Sequence, residues 1–535
     1  MNDQHPKRSR LPLIVMGVAL LAGVAAFGTG RYYESRQLQR LNEALARIPV
    51  EYGFTVGAVD GSLFGRTLTL KKIAFTLPSE ENPVAVSMDE ATGEGIGLAS
   101  LFAPGVVTLA DSLAIKNLTL SGKDFTFSAE RSALRDVRAD VAKIRAGWKE
   151  FLEALAEEEL AGEKDKEAEQ DETRKRKTSW EKSGFNTVSI AGFECSGIAF
   201  SGSDGLTVKA GSAAFTGYTG LDLGPVSIKD ISLAVAAKGT VAIVEAGLVG
   251  IAIPDAEDRA RLIELPPDDP MPRKGMLKRD IAVNGLFVRN VVVSAPMPDG
   301  VDNRVSVDEV MASLQYGNQH ARVEYAVNAM KLEKRLFAVA LDLLADTERE
   351  SLADTFDALE EALSHLPDPI VSSSRVSVEL AANDNGGMTM TIHPVMSRVD
   401  QFAFMEFSCV ANAGWNISAD TLTFKKLGFT VEDSGASECI FSLLGREKNM
   451  SAAQMRAQAL NGFATVGILL QGPLADLHRN TLDFLEKPGA ALSVQLDLPE
   501  ALTIDAISTK LMTAPGTVGL TSSVSREAAP EKRQP

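Results

Sequence analysis

The chain has 535 residues, a formal net charge of −17 and 45% hydrophobic residues. This length allows a large core and more than one domain, and the apolar fraction is ordinary for a globular protein. The acidic balance argues against nucleic acid as a partner, because phosphate binding needs a basic surface. Only five histidines are present. Histidine is the usual general base near neutral pH, so the composition also disfavours an enzyme.

The N-terminus carries a membrane-targeting pattern. Residues 11–30 form an apolar run without charge, and residues 1–10 before it are basic. At about 1.5 Å per helical residue, such a run approaches the roughly 30 Å hydrocarbon core of a bilayer. We therefore predict a cytoplasmic leader at 1–10 and a single-pass transmembrane anchor at 11–30, with the rest of the chain exported. The alternative is a cleaved signal peptide, because Val-Ala-Ala at 24–26 resembles a small-residue cleavage site.

An eight-residue phrase recurs along the chain: apolar-any-apolar, two polar residues, then apolar-any-apolar. Clear copies occupy 68–75, 113–120, 226–233 and 422–429, and looser copies occupy 193–200 and 286–293. Alternating apolar residues place one face of a strand against a core, but the polar pair switches the parity halfway. A β-bulge at the polar pair would restore the same inward face. The alternative is two short strands at a bend, each facing a different layer.

The pattern of elements predicts an α+β fold that is mainly β. An N-terminal transmembrane helix would be followed by repeated antiparallel strand units, a long charged helical insertion and a helical C-terminal region. The predicted β-rich regions are 31–128, 183–253 and 277–450, the last with a short helix at 347–366. A Pro-rich linker at 254–276 is the predicted internal boundary. Residues 451–517 are predicted to hold helices and a final strand, and 518–535 a disordered polar tail.

Residues 129–182 differ in composition from the rest. Apolar residues follow a 3,4 spacing there: Leu134, Val137, Val141, Ile144, Trp148, Phe151 and Leu155. This spacing predicts a long helix, which is either a coiled-coil seam that binds a protein partner or an amphipathic helix lying on the β core. The charged blocks that follow predict a solvated helix or a disordered excursion.

The three cysteines, Cys195, Cys409 and Cys439, show no C-x-x-C spacing, so a zinc site is not supported. Cys409 and Cys439 flank the phrase at 422–429 and are candidates for a disulfide. Closing a loop of about 30 residues would stabilise the fold by roughly 3–4 kcal/mol in the chain-entropy model. Two buried thiols are the alternative, and Cys195 is interpreted as a small core residue.

No catalytic constellation is recognisable in the sequence. The sequence contains no G-x-S-x-G, H-E-x-x-H or G-x-x-x-x-G-K-[ST] motif. His393 lies in a strand-like run and is interpreted as a structural residue. We therefore predict no catalytic residues, no metal site and no cofactor.

The segment at 61–66, Gly-Ser-Leu-Phe-Gly-Arg, leads into the phrase at 68–75 behind a short anchor and a helix. This arrangement resembles the start of AsmA-like proteins and is similar to the membrane-anchored YdgA-like bacterial family. The resemblance covers residues 30–130, and later phrases follow the same habit. It implies an inner-membrane anchor, a periplasmic β-rich body and a role in envelope lipid traffic or outer-membrane upkeep, and it carries over no catalytic residues.

Two functions remain open from the sequence. The first is a binding or structural protein of the cell envelope that handles phospholipid on an apolar strand surface. The second is an assembly factor that recruits an envelope protein through a helix at 131–155. A membrane-anchored hydrolase is a poorer third.

Overall fold

The computed structural model describes residues 53–62, 65–77, 83–96, 105–140, 143, 187–236, 238–263, 265, 271–272, 274–296, 302–336, 363–383, 387–414, 422–487 and 489–525. Most of these residues lie in antiparallel strands, with a smaller helical part, so the mainly β character of the predicted α+β fold is confirmed. The chain divides into two compact units, 1–256 and 257–535. This division falls inside the segment 254–276, where the sequence predicts a boundary.

Unit 1 (residues 1–256) is built from long strands that follow one another as a meander. Its strands are β1 (Thr55–Ser62), β2 (Thr67–Leu77), β3 (Val84–Glu94), β4 (Val107–Ser121), β5 (Phe125–Ala139), β6 (Ser189–Gly202), β7 (Leu206–Tyr218), β8 (Asp222–Leu223), β9 (Val226–Val235), β10 (Gly239–Leu248) and β11 (Gly250–Ala252). Strands β1 to β7 pair in sequence order, β9 continues from β7 and β10 pairs with β9. The short strands β8 and β11 pair with each other.

Unit 2 (residues 257–535) repeats the meander. Its strands are β12 (Ile281–Pro296), β13 (Asp302–Gly317), β14 (His320–Leu332), β15 (Ile370–Ala382), β16 (Met388–Val399), β17 (Ala403–Ala413), β18 (Thr423–Asp433), β19 (Ala491–Leu502) and β20 (Leu520–Ser525). Each strand pairs with the next one along the chain. The neighbours of a strand in this sheet are therefore the strands before and after it in the chain, although long segments separate β14 from β15 and β18 from β19.

The described helices lie at the unit boundary and near the C-terminus. They are α1 (Ala256–Ile263), α2 (Ala436–Glu447), α3 (Ala452–Val466), α4 (Pro473–Glu486) and α5 (Ile504–Thr513). Ser451 caps α3 through a capping box with Gln454, and Pro473 occupies the first turn of α4, where its missing N–H costs nothing. The prediction of helices after residue 451 and of a strand near 492–498 is confirmed.

The predicted helical insertion is wrong at its start. Residues 129–139 belong to strand β5, where Leu134 pairs with Leu113 and Phe193. Val137 is likewise a strand residue, paired with Ala110 and Ile190. Neighbouring strands on both sides supply hydrogen bonds that override the helical spacing. The other members of the stripe, Val141, Ile144, Trp148, Phe151 and Leu155, lie outside the described residues.

Two further predictions concern the ends of the chain. The anchor predicted at 11–30 lies outside the described residues, and among those that are described no helix is both long and apolar enough to cross a membrane. The disordered tail predicted at 518–535 is wrong for 520–525, which form β20 against β19. Of the helix predicted at 347–366, only 363–366 are described, and 363–365 are helical.

Candidate functional site

The phrases bend the strands through one backbone conformation. In five of the six copies the residue at the fifth position of the phrase has a left-handed φ: Lys72 (52°), Asn117 (53°), Gly197 (61°), Asp230 (54°) and Asn290 (51°). A single left-handed residue reverses the side-chain alternation of an extended strand. The register is nevertheless the same on both sides, since Lys71 faces Glu90 and Ile73 faces Met88. These strands bend without the extra residue that defines a β-bulge.

The sixth copy of the phrase, at 422–429, contains the predicted β-bulge. In β18, Lys426 faces Val410 and Phe424 faces Ala411, so Lys425 is an additional residue opposite β17. The β-bulge at the polar pair is therefore confirmed for 422–429 and replaced by a left-handed residue in the other five copies.

The left-handed residue and the β-bulge both keep the apolar residues of a phrase on one face of the strand, and β2 shows this most directly. The four apolar positions of its phrase, Leu68, Leu70, Ile73 and Phe75, are all buried and form one cluster with Val86 of β3. The phrase thus keeps one inward face across the polar pair. The alternative, in which the two halves face different layers, is wrong for this copy.

Repetition of the phrase aligns apolar side chains across unit 1. Directly opposed residues of antiparallel strands share a face, so the pairings define continuous rows. One row contains Leu113, Leu134, Phe193, Phe215, Val226 and Leu248. Another contains Leu120, Phe127, Phe200, Val208, Leu233 and Val241. The rings of Phe193 and Phe215 stack with centroids 5.4 Å apart, and the members of both rows are half-buried.

Unit 2 carries an equivalent row whose two ends differ in exposure. It contains Val283, Leu314, Val323, Val378, Ile392, Cys409, Leu427, Leu496 and Leu520. Leu496 and Leu520 are 7% and 8% exposed, whereas Leu314 and Val323 are 41% and 50% exposed. One face of the sheet is therefore core on β19 and β20 and open on β13 and β14.

Helices explain the buried end. Leu474 and Leu477 of α4 and Ile507 and Leu511 of α5 pack into the cluster that contains Leu496. Further along the same face, the neighbouring large apolar side chains are 38–50% exposed: Leu286, Leu314, Val323, Tyr325, Met405, Phe407 and Phe429. We call these seven residues the apolar strip. Contiguous exposed apolar surface commonly marks an interaction or ligand-binding surface.

The opposite face of unit 2 is polar. Glu324 accepts hydrogen bonds from Ser313 Oγ and Ser377 Oγ, each at 3.3 Å, and from Arg322 Nη2. Burial alone would raise the pKa of the Glu324 carboxyl, but Arg322 and the two hydroxyl groups together hold it below its ordinary value. The Nε2 atom of His393 lies 3.2 Å from Glu379 Oε2.

This polar cluster ties adjacent strands together rather than forming a closed site. Ser377 and His393 are direct cross-strand partners, and the His393 and Glu379 side chains are 40% and 41% exposed. Within the described parts of the chain, no group of three histidine, cysteine, aspartate or glutamate side chains is arranged to hold a metal ion.

The basic residue at the fourth position of the phrase has a role that the sequence did not reveal. Lys116 pairs with Glu90 at 2.6 Å, and Arg289 pairs with Glu309 at 2.8 Å, in both cases directly across the strands. Lys229 and Glu245 repeat the arrangement at 4.0 Å. Exposed pairs of this kind add little stability, but they favour one register at the bend. The recurrence of a basic residue at the fourth position is the sequence feature that could have indicated these ion pairs.

Cys409 and Cys439 are not joined by a disulfide, which favours the alternative of two buried thiols. Cys409 is a member of the unit 2 row, and burial raises the pKa of its thiol. Cys195 is buried as predicted, with its Sγ atom 3.2 Å from Ser132 Oγ. These cysteines pack as small apolar residues and are not arranged as reactive thiols.

The fold and the strip together describe a β-meander protein with an open apolar face. Comparison with known families matches residues 380–525, from the end of β15 through β20, to a family described as "Uncharacterized protein". No curated protein matches the chain. The family match covers the end of unit 2 where helices cover the sheet, and its description names no activity.

Proposed function

We propose that the protein binds acyl chains of lipids on the apolar strip. The observation that supports this is the change of exposure along one row: Leu496 is core under α4 and α5, while Val323 is half exposed on the same face. A face that packs apolar groups at one end has the composition to pack them at the other.

The dimensions of the strip suit an extended hydrocarbon chain. The members of the strip lie on β12, β13, β14, β17 and β18, and on β15 and β16 the same row carries the half-buried Val378 and Ile392. Strands lie about 4.8 Å apart, so the span from β12 to β18 is roughly 29 Å. The hydrocarbon core of a bilayer, which contains two layers of acyl chains, is about 30 Å thick. One acyl chain therefore fits within the strip, and each buried CH₂ group contributes about 0.8 kcal/mol.

The sequence suggests where such binding would serve. The predicted anchor at 11–30 would hold the protein in a bacterial inner membrane with its body in the periplasm. The resemblance of the N-terminal region to AsmA-like proteins suggests lipid handling or outer-membrane upkeep. We propose a binding role rather than catalysis, with phospholipid and the membrane as partners.

Photo-crosslinking of the full chain in its own cells tests the proposal. Benzoylphenylalanine is placed at Val323 or Phe407, and at Val244 as the control. Val244 lies on strand β10 of unit 1, outside the strip, with a similar exposure of 53%. We expect lipid adducts by mass spectrometry at Val323 and Phe407 and not at Val244. Equal adducts at all three positions, no adducts, or adducts to protein alone would refute lipid binding by the strip.

Point variants give a second measurement. Phe407→Gln removes one aromatic contact, which corresponds to about 1.5–3 kcal/mol or roughly tenfold or more in affinity. Lipid that co-purifies with the protein should fall accordingly in Phe407→Gln and remain unchanged in Val244→Gln.

A further inference from the structure

A second apolar surface lies on the C-terminal helices. The end of α3, the 3₁₀ turn Gly467–Leu469 and the start of α4 form a connected segment that we call the helical tip. Residues 457–475 contain no charged side chain. Phe463, Val466 and Ile468 are 37%, 52% and 84% exposed. Ile468 therefore protrudes, in contrast to the flat apolar strip.

The helical tip is fixed from beneath by a buried histidine. His478 of α4 lies under the tip with its Nε2 atom 2.8 Å from the carbonyl oxygen of Phe463. Its ring stacks on the Phe463 ring at 4.6 Å. The backbone of Gly467 approaches the same imidazole so closely that any Cβ there would overlap the ring. These contacts fix the backbone of the tip, on which Val466 and Ile468 remain exposed although apolar side chains are usually buried.

We propose that the helical tip inserts into the interfacial region of a zwitterionic phospholipid bilayer. The uncharged segment is bounded by Arg456 and Asp476, so no charged side chain of residues 457–475 has to enter the apolar layer when the tip inserts from one side. The chain carries a net charge of −17, which disfavours an anionic surface. The anchor predicted at 11–30 would keep the protein beside a bilayer.

This inference does not depend on acyl-chain binding by the strip, because it involves different residues and an intact bilayer. A second copy of the chain is the competing occupant. A protruding side chain such as Ile468 needs a matching pocket on a protein, whereas a bilayer accepts it without one.

The test uses the full chain in phosphatidylcholine vesicles. Ile468→Cys is labelled with an environment-sensitive fluorophore, with Val244→Cys as the matched control and the unsubstituted protein as the background for its three buried thiols. We expect a blue-shifted emission at position 468 that lipids spin-labelled on the acyl chain quench, and neither effect at position 244. Equal quenching at both positions would overturn the proposal. A blue shift that grows with protein concentration and ignores the lipid quencher would assign the tip to a second copy.

A charge variant separates insertion from general proximity to the membrane. Val466→Asp in the labelled Ile468→Cys protein should lower the inserted fraction about tenfold, because a carboxylate is costly to place among acyl chains. Val244→Asp should leave it unchanged. Val466 is half exposed, so loss of folding in Val466→Asp is not expected, and circular dichroism checks it. Unchanged quenching in folded Val466→Asp would refute insertion.

Discussion

The left-handed lysine at position 72 carries a measurable free-energy cost. Its φ of 52° is unfavourable for a residue with a Cβ atom by about 1–2 kcal/mol, while glycine adopts it freely. Glycine inside a strand costs about 0.5–1 kcal/mol in chain entropy. The two effects oppose each other in Lys72→Gly, so we expect a change in the free energy of unfolding between zero and about 1 kcal/mol of stabilisation.

Thr76→Gly is the matched control, because Thr76 lies in the same strand without a left-handed φ. Only the glycine penalty and the loss of a β-branched side chain apply there, and together they cost about 1 kcal/mol or more. The two variants should therefore differ by about 1–2 kcal/mol. Lys72→Val should be destabilised by roughly 1–2 kcal/mol, because a β-branched residue tolerates this conformation worst.

Hydrogen exchange of peptides from β1, β2 and β3, measured over a urea series, gives the local opening free energy for each variant. Equal losses in Lys72→Gly and Thr76→Gly would refute the claim that a left-handed residue bends the strand. A stabilised Lys72→Val would refute it as well.

Two further predictions concern titration and thiol chemistry. Because the pKa of Glu324 is lowered, its contribution to stability is fully present above the unfolded pKa near 4.5 and is lost as pH falls through the folded pKa. In Glu324→Gln, the midpoint of urea unfolding should therefore fall less steeply between pH 5 and about pH 3 than in the unsubstituted protein. An equally steep fall in the variant would contradict this. Because burial raises the pKa of Cys409, a thiol reagent at pH 8 should modify the folded chain slowly and the urea-unfolded chain fully, and fast modification of Cys409 in the folded protein would contradict it.

The sequence alternation predicts that all four apolar residues of the phrase face inward. It does not predict which backbone feature, a β-bulge or a left-handed residue, keeps them on one face. A polar pair between two alternating halves requires a reversal, and a bulge or a left-handed residue each supplies one. In four copies the residue type at the fifth position indicates a left-handed residue. Asn117, Gly197, Asp230 and Asn290 are types that tolerate the left-handed region. Lys72 has no such preference, so its conformation is imposed by the strands on either side.

The error in β5 has a different origin. Leu134 and Val137 fit a helical spacing as well as they fit a strand, and only pairing with β4 and β6 decides between them. β4 is the preceding strand of the same hairpin, but β6 begins only at Ser189, long after β5 ends at Ala139, and neither pairing can be seen in a local pattern. The apolar strip could not be predicted from the sequence either. Alternation identifies its residues as inward-facing, but which part of that face the helices cover depends on the packing of α4 and α5.

The constant register across the bend makes each hairpin of unit 1 a self-contained module. A phrase strand and its partner bring their own share of every row, their own bend and their own cross-strand ion pair or polar contact. Duplicating one hairpin would extend the apolar rows by about 10 Å, two strand spacings, without altering the pairing of any other strand. The width of the apolar rows in unit 1 therefore increases with the number of hairpins.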